Sequence, residues 1–423
     1  APAVTPPDRW ADGRVVLPVA DGPAPSPAGL AAQLTPLVTA GPLREDVAGE
    51  VTDVTSGRVL WSHRSDVGQV PASTVKILTA AAALQRLGPD HRLVTRTVWW
   101  GGRVVLVGGG DPTLTVGGGT GGAPGTSLQD LAERTAAALH TAGRTRVRLA
   151  VDDSLFAGPA VNPAWEDDYV STGVVAPVGA LAVHTAQRAA ARGPGDPALR
   201  AGAVFAGLLR SRGVRVEGPV TAARATAGAG ELARVESATV ARLVEHTLDV
   251  SDNEAAEALL RLVGAAHGGP GTVAAGTAAV RAVLVGLKVP VTGLRLVDGS
   301  GLARSNRVSP ATLTGVLTAA ASPAHPRLRP IVTGMPVAGL SGTLAHRLPG
   351  PAAGVVRAKT GTLTGVAALA GLVVDADGAL LTFAVLADQV PPSATLPARG
   401  ALDRFAVRLA GCGCPAPPAR SVT

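Results

Sequence analysis

Residues 71–84, PASTVKILTAAAAL, set Ser73 three positions ahead of Lys76 at the mouth of an apolar helix. On a helix that spacing brings both side chains to one face, a turn apart. A serine hydroxyl becomes an effective nucleophile when a neighbouring base takes its proton. Lysine can be that base only as the free amine, which burial or a nearby cation makes accessible near neutral pH. Arginine keeps its proton throughout that range. Of the 38 lysines and arginines only Lys76, Lys288 and Lys359 are lysine, so a lysine at this spacing runs against the habit of the chain.

Two further strings use the same chemistry. Ser251 and Asn253 open a helix in DVSDNEAAEALL, and Lys359, Thr360 and Gly361 lie in the alternating segment VRAKTGTLTG. Each has an ordinary explanation when taken alone. Ser251 with Glu254 fits a capping box, and a lysine on an edge strand guards against aggregation. Ser-x-x-Lys, Ser-Asp-Asn and Lys-Thr-Gly in that order form the combination found in penicillin-recognising serine enzymes. With the strings GGGDPTL, DDSLF, DGSGLARSN and PVAGLSGTL, the chain resembles the low-molecular-weight class C penicillin-binding proteins. Within them it is similar to the D-alanyl-D-alanine carboxypeptidase/endopeptidases of peptidase family S13, over about residues 30–410.

The resemblance implies a set of roles. Ser73 is the nucleophile, helped by a helix N-terminus, and Lys76 is its base. Lys359 lowers the pKa of Lys76 as a like charge and draws in the substrate's terminal carboxylate, with Thr360 adding a hydrogen bond. Ser251 relays the proton to the departing amine, and Asn253 holds the acyl-side amide. Backbone N–H groups of Ser73 and Thr362 form the oxyanion hole. Gly361 lets a peptide lie against the strand as an added strand. Trp165 and Asp168 grip a free amino group of the stem peptide, Arg304 takes an adjacent carboxylate, and Leu363 lines the apolar stem. The expected substrates are peptidoglycan stem peptides ending in D-Ala-D-Ala, with D-Ala-diaminopimelate cross-links as an open possibility. β-Lactams are expected to be trapped on Ser73. A non-catalytic penicillin sensor and a β-lactamase with an enlarged insertion are the rival readings; the interval from Ser73 to Ser251 exceeds that of a compact β-lactamase.

These residues need a body to position them. The expected fold is α/β: a penicillin-binding transpeptidase/β-lactamase-like domain, with an antiparallel sheet and helices on both faces, interrupted by a β-rich insertion. Residues 1–28 carry seven prolines and read as an extended lead-in. Residues 29–89 and 236–416 form the catalytic domain, and 90–235 the inserted region. Hydrophobic residues make up 46% and aromatics 2%, so the cores are built from Val, Leu and Ala, and stacking platforms for nucleic acid are scarce. The net charge of +7 is dispersed, with no basic block. No cofactor is implied: GGGTGG at 117–122 lacks a strand-to-helix context. The eight histidines contain no His-x-x-x-His pair, so no metal is expected. No apolar run is long enough to span a bilayer. The opening APAVTPPDRW fits a mature, exported chain whose signal has been removed. Cys412 and Cys414 are open to either a disulfide or two thiols.

Overall fold

The computed structural model describes residues 22–39, 43, 46–117, 127–183, 196–226, 228–266 and 270–414. Most of the proline-rich lead-in and all but the first residue of GGGTGG lie outside them. The chain opens with α1 (Pro27–Thr39), β1 (Val47–Asp53), β2 (Val59–His63) and α2 (Lys76–Arg86). There follow β3 (Arg92–Trp100), β4 (Arg103–Val107), α3 (Leu128–Thr141), β5 (Arg146–Val147), β6 (Leu149–Asp152), α4 (Pro197–Arg210), β7 (Arg215–Val216), β8 (Thr221–Ala222) and β9 (Gly230–Thr239). Then come the helices α5 (Val240–Asp249), α6 (Asn253–Ala266), α7 (Val273–Gly286), α8 (Pro310–Ala321) and α9 (Arg329–Gly334). The chain closes with β10 (Val356–Leu363), β11 (Val366–Val374), β12 (Leu380–Ala387) and α10 (Thr395–Ala410).

The main sheet has the order β10-β11-β12-β1-β2, antiparallel throughout. The period of two along β11 explains how helices come to cover both faces. Ala368, Ala370 and Leu372 point into a core shared with α2, α5, α6, α7 and α8. Ala367, Leu369 and Val373 point into the opposite core, closed by α1 and α10. Alanines and a glycine on β11 let the helices approach the sheet closely; the aromatic filling falls to Trp61, Phe383 and Phe405, the two phenylalanine rings lying 6.3 Å apart. Cys412, buried in this second core, is disulfide-bonded to Cys414.

The inserted region holds a second sheet of order β8-β6-β4-β3-β9. The region was expected to be β-rich and to end at residue 235; α3 and α4 make it an α/β layer, and β9 carries its sheet on to Thr239. Parallel pairing of β4 with β6, and of β6 with β8, requires crossover connections, and these two helices supply them. Ser127 caps α3 by accepting from the Asp130 N–H at 3.1 Å, and Asp196 caps α4 by accepting from the Ala198 N–H at 2.8 Å. β3 and β9 lie side by side, so the region leaves and rejoins the body at one place. Phe156, Trp165, Val175, Val178 and Ala180 of the region join the core around α2. That packing brings residues 156–180 up to the edge of the main sheet's helical layer.

Candidate active site

Ser73 sits in a 3-10 turn, Ala72–Val75, that runs directly into α2. The turn is held under tension: Ala72 adopts φ 45°, a left-handed conformation that L-residues enter at a cost of roughly 1–2 kcal/mol. Two glycines press on it. A Cβ at Gly301 would collide with the Ala72 carbonyl oxygen, and a Cβ at Gly361 would come within 2.8 Å of the Pro71 oxygen. The sequence reading gave the bareness of Gly361 to the substrate. The structure gives it to packing, since the missing side chain lets β10 touch the turn that carries Ser73.

Lys76 is fully buried. Its Nζ lies 2.9 Å from Ser73 Oγ, 2.7 Å from Asn253 Oδ1 and 2.7 Å from the Ser300 carbonyl oxygen. Burial lowers its pKa to about 8, opposed by the negative charges of Asp298, Glu257, Asp252 and Glu254. The expected depression by Lys359 takes a different form. Lys359, also fully buried, is the member of the pair that carries the repulsion: burial first, then Lys76 and Arg347, push its pKa well below the usual lysine range.

Three partners suit an ammonium, but they are not equivalent. Asn253 Oδ1 and the Ser300 oxygen only accept, whereas a hydroxyl both accepts and donates. When Lys76 loses a proton, its two remaining hydrogens stay on the two pure acceptors. The lone pair then faces Ser73 Oγ, which can donate to it.

At the start of α6 the capping-box reading of Ser251 does not hold. Asp252 is the cap, accepting from the Ala255 N–H at 2.9 Å, and Ser251 stands one residue outside the helix at φ 61°. Asp252 also accepts from His246 Nε2 at 3.2 Å. Burial alone would raise its carboxyl, yet the His246 and Ala255 hydrogen bonds outweigh burial and hold it below the usual carboxylate range. Asn253 uses both ends of its amide, one on Lys76 and the other, Nδ2, on the Val174 carbonyl at 2.8 Å. It therefore ties the inserted region to the base, in addition to the amide-holding role expected of it.

Lys359 to Leu363 lie on β10, the edge strand of the main sheet. The Ala358 N–H points outward, to the Pro336 carbonyl. Alternation along an antiparallel strand then turns the N–H groups of Thr360 and Thr362 to the same open edge. Lys359 Nζ donates to the Thr360 oxygen at 3.0 Å, and the Thr360 hydroxyl donates to Thr343 Oγ1 at 3.0 Å. Leu363 packs against Val70, Ala72 and Val366 beside the Ser73 turn.

The outer residues arrange themselves otherwise than expected. Trp165 is buried in the core, and its Nε1 donates to Asp298 Oδ2 at 3.1 Å, so it supports the floor of the site instead of pairing with Asp168. Asp168 is exposed, and its carbonyl oxygen accepts from Ser171 and Thr172. Arg304 meets Glu166 Oε1 at 3.0 Å and the Thr364 carbonyl at 2.9 Å, bridging the inserted region to the β10–β11 turn. Its protein partner is Glu166, which the sequence reading passed over.

Two more carboxylates went unread. Asp298 accepts from the N–H groups of Gly301 and Ala303 and from Asn306 Nδ2, and so folds the DGSGLARSN loop against Lys76. Glu257 accepts from the Gly299 and Ser300 N–H groups, at 2.9 and 2.8 Å, fixing the peptide whose oxygen holds Lys76. Burial, reinforced by Asp298, raises the Glu257 pKa to about 7. Its sequence signal was present: Glu257 follows Asn253 by one helical turn, and Arg261 continues the same face a turn farther on. Among the described residues no cluster of three His, Cys, Asp or Glu could hold a metal ion.

Comparison with known proteins agrees with this geometry. The chain is 39% identical over 422 residues to a carboxypeptidase of Mycobacterium tuberculosis, covering 94% of this chain and 87% of the relative. It is 32% identical over 450 residues to the D-alanyl-D-alanine carboxypeptidase of Actinomadura sp. strain R39, covering 85% of this chain and 80% of that one. Among solved structures, penicillin binding protein 4 of Haemophilus influenzae matches with a TM-score of 0.74 at 22% identity, covering 89% of this chain and 98% of that one, a likeness of fold. The model of the D-Ala-D-Ala carboxypeptidase 3 (S13) family matches residues 30–192 and 178–409. Motifs, sheet and matched length point the same way, and the chain belongs to the S13 peptidase family.

Proposed function

We propose that this cleft performs serine D,D-peptidase chemistry on stem peptides of peptidoglycan ending in D-Ala-D-Ala. The observation that carries the reading is a fully buried Lys76 amine 2.9 Å from Ser73 Oγ, with its other two contacts on pure acceptors. As the free amine, Lys76 takes the Ser73 proton while Oγ attacks the carbonyl carbon of the penultimate D-alanine. The outward N–H of Thr362 and the N–H of Ser73 receive the developing oxyanion. Ser251, freed from capping by Asp252, passes a proton to the departing amine. Water then resolves the acyl-serine.

The substrate's terminal carboxylate belongs at Lys359 and the Thr360 edge. Its arrival adds negative charge beside Lys359, whose pKa burial, Lys76 and Arg347 push down, so Lys359 is restored as a cation. A charged Lys359 in turn favours the neutral form of Lys76. Leu363 borders the stem, with Arg304 and Asp168 at its rim. A β-lactam mimics the terminal dipeptide and acylates Ser73. The polymer substrate puts the protein's working place outside the cytoplasm; among the described residues no helix is long and apolar enough to cross a membrane.

The test uses the full chain with labelled penicillin and mass mapping of the adduct, followed by D-alanine release from a stem-peptide mimic. A stable adduct on Ser73 together with D-alanine release is expected. An adduct elsewhere overturns the assignment. Rapid penicillin hydrolysis without D-alanine release makes the protein a β-lactamase, and acylation with no peptide turnover makes it a sensor.

A further inference from the structure

Arg357 lies two residues before Lys359, on the same face of β10, so the row Gly361, Lys359, Arg357 leads away from the Ser73 turn. At the strand rise of about 3.3 Å per residue, Arg357 is about 7 Å beyond Lys359. There the structure has a cavity of about 600 Å³, bordered by α5, Thr333–Met335, Ser341 and Arg357. A volume of this order accommodates a small ligand.

The charged groups on the α5 side are already engaged. Arg242 pairs with Glu245 at 2.9 Å, and Glu245 also accepts from the Thr333 hydroxyl at 2.6 Å. His246 meets Asp252 at 3.2 Å, and Asp249 accepts from Ser341. Arg357 differs from all of these. It is 6% exposed, and its Nε is buried without a partner. Among the described residues no carboxylate reaches its guanidinium, although it lines the cavity wall. Its backbone is fixed on either side: the Ala338 N–H donates to the Val356 oxygen, and the Ala358 N–H donates to the Pro336 oxygen. A buried arginine without a counter-charge is costly, and the cost is recovered when an anion binds in fork geometry.

We propose that this cavity is a carboxylate-binding subsite on the leaving-group side of the scissile bond, anchored by Arg357 and occupied by the second strand of a cross-linked stem peptide. The inference rests on the D,D-peptidase reading for its direction. With a carboxylate at Lys359 marking the first position past the scissile bond, a leaving group that continues farther runs toward Arg357. Where the leaving stem ends at diaminopimelate, that residue carries free carboxylates at both ends of its carbon chain, and their separation is comparable to the spacing of Lys359 and Arg357. A leaving D-alanine is too short to reach the subsite. The residues around Arg357 therefore distinguish cross-link cleavage from simple trimming.

The experiment compares two cross-linked peptides on the full chain, one with a free carboxylate at the far end of the leaving diaminopimelate and one with that carboxylate amidated. Wild type is expected to favour the free acid by about 10- to 100-fold in kcat/KM, through KM, as for a lost charge-assisted hydrogen bond. In Arg357→Gln the preference collapses toward one, and Arg357→Lys restores part of it. Penicillin titration of Ser73 counts folded sites in each variant. Calorimetry with the released diaminopimelate fragment, acid against amide, gives a readout that needs no turnover. Equal handling of acid and amide by wild type overturns the subsite even if the variants fail to fold, as does a preference that survives in Arg357→Gln. Loss of penicillin acylation and D-alanine release in wild type would instead strike the D,D-peptidase reading, leaving the calorimetric comparison to decide the subsite.

Discussion

At Lys76 the choice between lysine and arginine turns on one proton. An amine with its pKa lowered to about 8 is about a tenth free base at pH 7, enough to act and still able to recover its proton. The sign follows directly: the protonated form cannot accept from Ser73, so kcat/KM rises with pH and levels off above about 8. Glu257 and Asp298 hold Lys76 charged. Glu257→Gln keeps an acceptor for the Gly299 and Ser300 N–H groups but removes that negative charge, so the rising limb shifts to lower pH. A pH–rate profile of peptide turnover checks both, and an unmoved limb in Glu257→Gln would show that its charge does not reach the base. The same pKa bears on stability. Unfolded, Lys76 titrates near 10.5. The penalty for burying its charge is therefore full below pH 8 and fades between pH 8 and 10.5.

The Ser73 turn and strand β10 act as a pair of elements held at contact distance. At Gly361 an added Cβ meets the Pro71 oxygen at 2.8 Å and the Ala72 and Ala368 Cβ atoms at 3.1 Å, mostly backbone or near-backbone atoms with little freedom to yield. Gly361→Ala is expected to push the turn off the strand and lower the acylation rate about 100-fold, the scale set by misplacing a reacting group by about 1 Å. Far-UV circular dichroism should remain that of the parent. Acylation at the parental rate would show that the turn does not depend on this contact. The three motifs were readable because each is local: a helix entrance, a helix start and a strand. Local spacing marked those three positions. It did not reveal that Asp252, two positions before the expected partner Glu254, is the cap of α6. Side-chain direction decides that question, and spacing alone leaves it open.

Across the whole molecule, the site forms where the edge of the main sheet, the α2 and α6 layer and the inserted region converge. Asn253 bonds the inserted region through Val174, Trp165 bonds the loop through Asp298, and Arg304 spans from Glu166 to Thr364. Such long-range meetings explain what the sequence reading did not reach. Trp165 was assigned to the pocket by resemblance, together with Asp168, yet its side chain turns into the core. Asp298 and Arg357 have no local signature, because each is defined by what the fold sets against it. Helices α3 and α4 did have signals, Ser127 and Asp196–Pro197, but the region was expected to be β-rich. All these contacts serve one buried amine beside one hydroxyl, and the direct test is Lys76→Arg. Arginine retains the positive charge and donors for Asn253 and Ser300 but cannot take the proton. Followed by intact-protein mass during penicillin exposure between pH 6 and 9, the Ser73 adduct should form about 10²- to 10⁴-fold more slowly than in wild type. Formation at the wild-type rate would contradict the assignment of Lys76 as the base.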